Sequence, residues 1–305
     1  MSKILTVVGA TGAQGGSVVT SALKSGAYKV RGITRNVNSA AAKSLTAQGV
    51  EMVAADTSDL ASLVKAFEGS HAIFVVTDFF ASFATHGVEE TVAIESTQGI
   101  NCAKAASRTT TLEHYIWSTL PDNQKISGGK CSVPHFESKT KVDQYIHQDK
   151  ALLSKTTFLF VTYYATNMLM PMFLPNQFKT TGKSVQLLPI AEDTPITILG
   201  ATKINLGIYV LAILQQPQIT LPAKEILKPW SEVSGTPAEY ASISLDHYDN
   251  LWPKWGREVG LMLQFWDYAR ERSWVADDVV IKEDLSITGL VGMKEVFAEI
   301  DWTSV

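Results

Sequence analysis

Three glycines recur at a spacing of three residues near the start of the chain, in the segment GATGAQG at 9–15. The first two allow a tight turn and a close approach of the backbone to a pyrophosphate, and the third allows close helix–strand packing. Backbone N–H groups at the start of the following helix would bind the anion. This context predicts a dinucleotide-binding loop formed by Gly9, Thr11, Gly12, Ala13, Gln14 and Gly15.

Arg35, twenty residues after Gly15, indicates which nucleotide the loop would bind. Dinucleotide-binding folds place an acidic residue near this point to accept the ribose 2′-hydroxyl, but the segment GITRN at 32–36 contains no Asp or Glu. A guanidinium suits a 2′-phosphate through its charge and paired hydrogen bonds. The sequence therefore predicts NADP(H). The alternative for Arg35 is a solvated surface arginine, and the alternative for the loop is a glycine turn that binds no ligand.

Polar residues at the ends of later strands extend the predicted cofactor site. Asp56 would end the third strand, where it could accept a hydrogen bond from the adenine amino group or cap the next helix instead. Thr57 is assigned to the site with it. Thr77 and Ser118 would end the fourth and fifth strands, at the carboxyl edge where open sheets bind ligands.

The segment PHFESKTKVDQYI at 134–146 predicts a helix with a lysine on its buried face. Helical spacing puts four residues on one stripe, namely His135, Lys139, Val142 and Ile146. Lys141 points elsewhere. A half-buried ammonium can polarise a carbonyl or donate a proton. The alternative is a lysine whose stem packs while its head reaches water.

The elements that must position these residues alternate along the first half of the chain. Apolar strand patterns occur at Lys3–Gly9, Tyr28–Thr34, Val50–Asp56, His71–Thr77 and His114–Ser118. Helical patterns lie between them, at Gln14–Lys24, Ala40–Gln48, Leu60–Glu68 and Glu89–Ser107. This alternation predicts a Rossmann-type α/β fold with a doubly wound parallel sheet.

The alternation breaks down after about residue 157, where prolines become frequent. We therefore expect an NADP-binding Rossmann domain at 1–156 and a smaller C-terminal α/β substrate domain at 157–305. Some segments of the second region are expected to return to the Rossmann sheet.

Composition and charge disfavour several function classes. The net charge of −4 and the lack of a Lys/Arg block argue against nucleic-acid binding. The most apolar stretch, 157–175, carries Asn167, threonines and prolines, which argues against a membrane span. The two cysteines fit a reducing, cytoplasmic compartment. No metal-ligand spacing is present, so no metal site is expected.

Four segments together resemble the NmrA-like proteins, an atypical branch of the short-chain dehydrogenase/reductases: GATGAQGGSVV, GITRN, IWSTLPD and VPHFESKTKVDQYI. The similarity covers essentially the whole chain and is clearest over 4–170. It implies a Rossmann domain that binds NADP(H), with a smaller C-terminal domain forming a cleft. Some members of the family reduce small molecules, whereas others bind the dinucleotide without turnover and regulate a partner protein.

The resemblance also implies roles for individual residues. It places Lys139 beside the nicotinamide, where the corresponding lysine is catalytic in reductases of the wider family, and it brings Tyr163 and Asn167 near the cofactor. His135 and Tyr163 are further catalytic candidates. The Tyr-x-x-x-Lys pair of ordinary short-chain dehydrogenases is absent, because none of the nine tyrosines has a lysine four residues later.

Two functions follow from these patterns. The first is an NADPH-dependent reductase of a small, largely apolar carbonyl, imine or activated alkene, bound in the cleft between the domains, with Lys139 as polariser or proton donor. The second is a non-catalytic, redox-sensing regulator that binds NADP(H) and acts on a protein partner. A cytoplasmic location is expected, or a nuclear one for a regulator. A homodimer and a regulatory partner are both left open.

Overall fold

The computed structural model describes residues 3–178, 182–213, 221–274, 287 and 289–302. The chain forms two compact units. Unit 1 comprises Met1–Leu120, Pro134–Val161 and Leu206–Gln216, and unit 2 comprises Pro121–Val133, Thr162–Asn205 and Pro217–Val305. Each unit is therefore built from three separate segments. The expected division of roles between a cofactor domain and a substrate domain stays a prediction.

The strands follow in chain order as β1 (Ile4–Val8), β2 (Lys29–Thr34), β3 (Glu51–Ala54), β4 (Ala72–Val75), β5 (His114–Thr119), β6 (Thr156–Phe160), β7 (Tyr163–Tyr164), β8 (Asn176–Phe178), β9 (Lys183–Leu188), β10 (Pro195–Ile196), β11 (Ile198–Gly200), β12 (Leu221–Pro222) and β13 (Ala238–Ser242). The α-helices are α1 (Ala13–Ser25), α2 (Ala40–Ala47), α3 (Leu60–Phe67), α4 (Phe79–Phe83), α5 (Val88–Ser107), α6 (Asn123–Ser127), α7 (Pro134–Gln148), α8 (Lys150–Leu153), α9 (Thr202–Ile213), α10 (Ala223–Ser234), α11 (Leu245–Leu251), α12 (Trp255–Ala269) and α13 (Met293–Ala298).

Unit 1 contains a six-stranded parallel sheet in the order β3-β2-β1-β4-β5-β6. This order is that of the dinucleotide-binding doubly wound fold, so the predicted fold class is confirmed. All four residues of β4 are buried, as expected for a strand covered on both faces.

Two strands end two residues earlier than predicted. The strand β3 ends at Ala54, because its partner β2 ends at Thr34 and offers no further ladder positions. The strand β4 ends at Val75, opposite Trp117 of β5. Asp56 and Thr77 are therefore loop residues beyond the strands and do not end them. Both remain at the carboxyl edge of the sheet.

The helices α5 and α7 pack closely where Gly99 faces Val142. A Cβ atom on Gly99 would lie 2.5 Å from Val142 Cγ2 and 3.1 Å from Trp117 Cη2. The hydroxyl of Ser96, one turn before, donates to the Ser138 carbonyl at 3.1 Å. Because Gly99 has no side chain, the two helices can approach closely. Ser96 and Ser138 form their hydrogen bond next to this contact.

Unit 2 is built around a three-stranded sheet in the order β13-β9-β8. The strand β13 runs parallel to β9, whereas β8 runs antiparallel to it. The helix α12 buries one face, including Val259, Phe265 and Trp266. Over the part of the chain that the structure describes, no helix is both long and apolar enough to cross a membrane.

Candidate functional site

The glycine loop connects β1 to α1 in the way the spacing predicts. Gly9 adopts φ +74°, a conformation that favours glycine, and the Gly12 N–H donates to the Gly9 carbonyl at 2.9 Å. A Cβ on Gly15 would lie only 2.2 Å from the Gly9 oxygen. Gly12 is the N-cap of α1 and has no side chain to cap it, so the first N–H groups of the helix keep the character of an anion site.

Arg35 follows directly after β2 and is exposed. Asp56 Oδ1 accepts a hydrogen bond from the Ser58 N–H at 2.8 Å, which stabilises a turn. The helix α3 is capped by Asp59, so Asp56 is not its cap. The carbonyl of Thr57 accepts from Asn101 Nδ2 at 3.0 Å. Contact of these residues with a nucleotide stays a prediction.

Ser118 lies beside the first turn of α1. Its hydroxyl donates to Gln14 Oε1 at 2.8 Å, and only 2% of its surface is exposed. Two predicted site residues, 104 positions apart, thus meet at the carboxyl edge of the sheet. Thr11 precedes Gly12 in the loop, and Ala13 is the first residue of α1.

Lys139 is buried at the end of β4, as the helical stripe predicts, and is 8% exposed. Its Nζ donates to Thr77 Oγ1 at 3.0 Å and to the Thr77 carbonyl at 3.2 Å. It also forms an ion pair with Glu95 Oε1 at 3.0 Å. The ring of Trp117 lies beneath the ammonium, with its centroid 5.1 Å away. Lys141, two residues later, is exposed.

The carboxylate of Glu95 completes this cluster and was not among the predicted residues. It is 1% exposed, accepts from Thr77 Oγ1 at 2.7 Å and accepts from the Ser138 hydroxyl through its other oxygen. Sequence offers one signal, since Glu95 falls on the face of α5 that otherwise buries small and apolar residues such as Gly99 and Cys102.

His135 lies one turn before Lys139 among aromatic rings, and it is 6% exposed. Its ring centroid is 5.3 Å from that of Phe80, 5.9 Å from that of Phe79 and 4.9 Å from that of Phe136. The short helix α4 supplies the first two of these rings. His135 and Lys139 therefore share the buried face of α7, next to an aromatic cluster.

The comparison with protein families decides what kind of protein this is. The model of the NmrA-like family matches residues 1–271, which include both the glycine loop and the lysine cluster. The chain belongs to the NmrA-like family. The resemblance inferred from the four sequence segments is confirmed.

Two relatives and one solved structure illustrate the family. An NmrA-like family domain-containing protein from Dictyostelium discoideum is 29% identical over 88% of each chain. The NmrA-like family domain-containing oxidoreductase hkm9 from Aspergillus hancockii is 31% identical over 57% of this chain and 50% of its own length. This NmrA-like chain thus matches only about half of that relative.

NmrA itself, described as a negative transcriptional regulator and solved in complex with NADP, superimposes with a TM-score of 0.70. The alignment covers 98% of this chain and 96% of NmrA, at 21% sequence identity. At this identity, the likeness concerns the fold.

Tyr163 and Asn167, which the family resemblance adds to the site, belong to unit 2 of this NmrA-like chain. Tyr163 is 4% exposed, meets Phe173 edge-on at 5.0 Å between centroids, and burial raises its pKa. Asn167 is partly buried within a 3₁₀ turn at Ala165–Leu169. Within the described residues, no group of His, Cys, Asp or Glu side chains could hold a metal ion.

Proposed function

We propose that this NmrA-like protein is an NADP(H)-dependent oxidoreductase that reduces a small, largely apolar carbonyl, imine or activated alkene. The observation that carries the proposal is the adjacency of the glycine loop and the lysine cluster at the end of β4. A Cβ on Gly9 would lie 2.9 Å from Val76 Cγ1, and the next residue, Thr77, binds Lys139. The oxidoreductase relative from Aspergillus hancockii supports the same reaction class.

The residues of unit 1 fit an NADP(H) molecule. The start of α1 offers N–H groups without a side-chain cap. A Cβ at Gly12 would lie only 3.3 Å from the Gly9 oxygen, so the tight turn itself favours glycine at this position. The loop would hold the pyrophosphate, Arg35 the 2′-phosphate and Asp56 the adenine amino group. The nicotinamide supplies a hydride when it is bound.

Lys139 would stabilise the negative charge that builds on the acceptor, or donate a proton to it from Nζ. An ammonium has three N–H donors, and three acceptors lie around this one. The contact with the Thr77 carbonyl is the longest, at 3.2 Å, so an acceptor oxygen or nitrogen would replace it most readily. The ion pair with Glu95 would stay in place during this exchange.

The surroundings of Lys139 favour neutral, apolar acceptors. The carboxylate of Glu95 balances the ammonium, so the pair would attract an anionic substrate less than a lone lysine would. The rings of Phe79 and Phe80 pack against His135, on the same face of α7 as Lys139, and give this region a mostly apolar surface. Such a lining would exclude water from the acceptor, which strengthens the electrostatic effect of the lysine.

A second function, the redox-sensing regulator, is favoured by one observation. All three hydrogen-bond donors of Lys139 have partners inside the protein, which is also what a lysine with a purely structural role would show. The fold neighbour NmrA is a regulator that binds NADP. In that case the protein would bind NADP(H) without turnover, and a protein partner would respond to it.

The test measures NADPH oxidation over a panel of neutral ketones, enones and imines. We expect Lys139→Met to keep NADPH binding nearly intact in calorimetry and to lose at least about a hundredfold in turnover, the usual range for general acid catalysis. Lys141→Met, on the exposed side of the same helix, should turn over at the parent rate. Thermal melting of each variant checks that the protein is still folded.

Two results would contradict parts of this proposal, the first the role of Lys139 and the second the reductase function itself. Turnover of Lys139→Met at the parent rate would mean that another group supplies the proton, and Tyr163 would be tested next. Tight NADPH binding without reduction of any acceptor, together with a change in association with a protein partner, would favour the regulator.

A further inference from the structure

The carboxylate of Glu95 has every contact needed to hold the lysine in one place. One oxygen binds both Lys139 Nζ and the Thr77 hydroxyl, at 3.0 Å and 2.7 Å. The other oxygen accepts from the Ser138 hydroxyl. An ionised carboxylate this deeply buried is tolerated only when it is paired and hydrogen-bonded. Each partner of Glu95 therefore belongs to the same cluster as the lysine.

The helices α5 and α7 together hold the cluster, since α5 carries Glu95 and α7 carries Lys139. Glu95 lies on α5, one turn before the contact of Gly99 with Val142, and Lys139 lies on α7, three residues before that contact. Because α5 and α7 cannot slide apart without losing this packing, the carboxylate stays opposite the ammonium. The contacts of Nζ with Glu95 Oε1 and Thr77 Oγ1 then hold the end of the lysine side chain.

We propose that Glu95 is the positioning residue of Lys139: it holds Nζ at the end of β4 and balances its charge. The catalytic consequence rests on the proposed function, whereas the placement of the amine does not. In Glu95→Gln the amide keeps the size of the side chain but loses the charge. The amine should then leave its place and become more reactive.

Reductive methylation with formaldehyde and a borane reductant tests the placement without cofactor or substrate. Peptide mass spectrometry follows each lysine separately, with exposed Lys141 as the internal reference. We expect Lys139 in Glu95→Gln to react at least about tenfold faster than in the parent, since close buried charge pairs are coupled by that much or more. Glu89→Gln, an exposed change on the same helix, should leave the rate unchanged.

The methylation rate of Lys155 shows whether a variant has partly unfolded. Its Nζ donates to the Leu112 carbonyl at 2.6 Å in the same unit, so its methylation should not change in a folded variant. If Glu95→Gln also speeds the methylation of Lys155, Glu95→Asp is measured in its place. Aspartate keeps the charge, but its shorter side chain cannot reach Nζ in the same way, so Lys139 should still react faster than in the parent. An unchanged rate at Lys139 in a folded variant overturns the proposal.

The catalytic consequence is measured with an acceptor that the parent reduces. We expect Glu95→Gln to lower kcat at least about tenfold with little change in the KM for NADPH, and Glu95→Asp to recover part of the loss. If no acceptor is reduced, the methylation result still decides the role of Glu95. If Lys139→Met loses turnover but Lys139 is methylated equally fast in the parent and in Glu95→Gln, the reductase function is supported and the positioning role of Glu95 is rejected.

Discussion

Arg35 decides, under the proposed function, which nicotinamide dinucleotide binds. We expect Arg35→Asp to weaken NADPH binding about tenfold or more, because it removes a charge-assisted hydrogen bond worth roughly 1.5–3 kcal/mol and adds repulsion of the 2′-phosphate. Affinity for NADH should change little or improve. Isothermal titration with both cofactors measures the difference.

Lys24→Asp is the matched control, since it changes the formal charge equally at the exposed far end of α1. It should leave the preference for NADPH intact. Equal losses for NADPH and NADH in Arg35→Asp would show that this arginine does not read the 2′-phosphate.

At the level of single residues, the sequence predicts what depends on local spacing and misses what depends on distant partners. The burial of Lys139 follows from the helical stripe with Val142 and Ile146, and all three are buried. Glu95 gives no comparable signal, because its partners lie 18, 43 and 44 residues away on other segments. The sequence allows Asp56 either to bind the adenine amino group or to cap the next helix. In the structure its side chain accepts from the Ser58 N–H in a turn and does not cap the helix.

Among the helices, the contact of α5 with α7 depends on Gly99. We expect Gly99→Ala to lower the free energy of unfolding by about 1–3 kcal/mol, the usual cost of overpacking a filled core. The new Cβ would lie 2.5 Å from a β-branched side chain that has little freedom to turn. This cost exceeds the gain of up to about 1 kcal/mol from better helix propensity. Urea unfolding measures the balance.

Two controls accompany this change. Gly16→Ala, in α1, places its Cβ at an ordinary 3.5 Å from the Ala10 carbonyl and should be neutral or stabilising. Adding Val142→Ala to Gly99→Ala should recover part of the stability by making room. A stabilised Gly99→Ala would show that the two helices do not need this close approach.

The elements themselves are largely predictable, because apolar strand patterns alternate with helical patterns along the first half of the chain. The ends of β3 and β4 are not, since a strand ends where its neighbours stop pairing. Thr34 is the last residue of β2, and nothing in the sequence of β3 reveals where its partner ends. The apolar pattern continues past that point, toward Asp56.

At the scale of the whole molecule, unit 1 depends on a late segment of the chain. The N–H of Gly207 donates to Ser17 Oγ at 2.8 Å, and Leu206 and Val210 are fully buried. We expect a fragment of residues 1–161 to bind a hydrophobic dye and to unfold without a sharp transition. Each buried aliphatic side chain contributes about 1.5–3 kcal/mol, so the loss is large compared with typical domain stability.

The control joins residues 206–213 to this fragment through a flexible linker. It should restore a cooperative transition in calorimetry and remove the dye binding. A fragment 1–161 that melts sharply at the temperature of the full chain would contradict the dependence. The sequence predicts that some segments after residue 157 return to the Rossmann sheet, but it does not identify α9 as a segment of unit 1. This helix follows irregular segments, so the alternation of strands and helices gives no signal for it.

The division into interleaved segments also bears on synthesis. A ribosome releases residues in order, and domains generally fold as units when their last residues emerge. Unit 1 reaches its last segment only at Leu206–Gln216, after Thr162–Asn205 of unit 2 has already left the exit tunnel. During this interval unit 1 is incomplete and the surface of α1 around Ser17 is uncovered. Transiently exposed surface of this kind promotes aggregation, and chaperones protect against it.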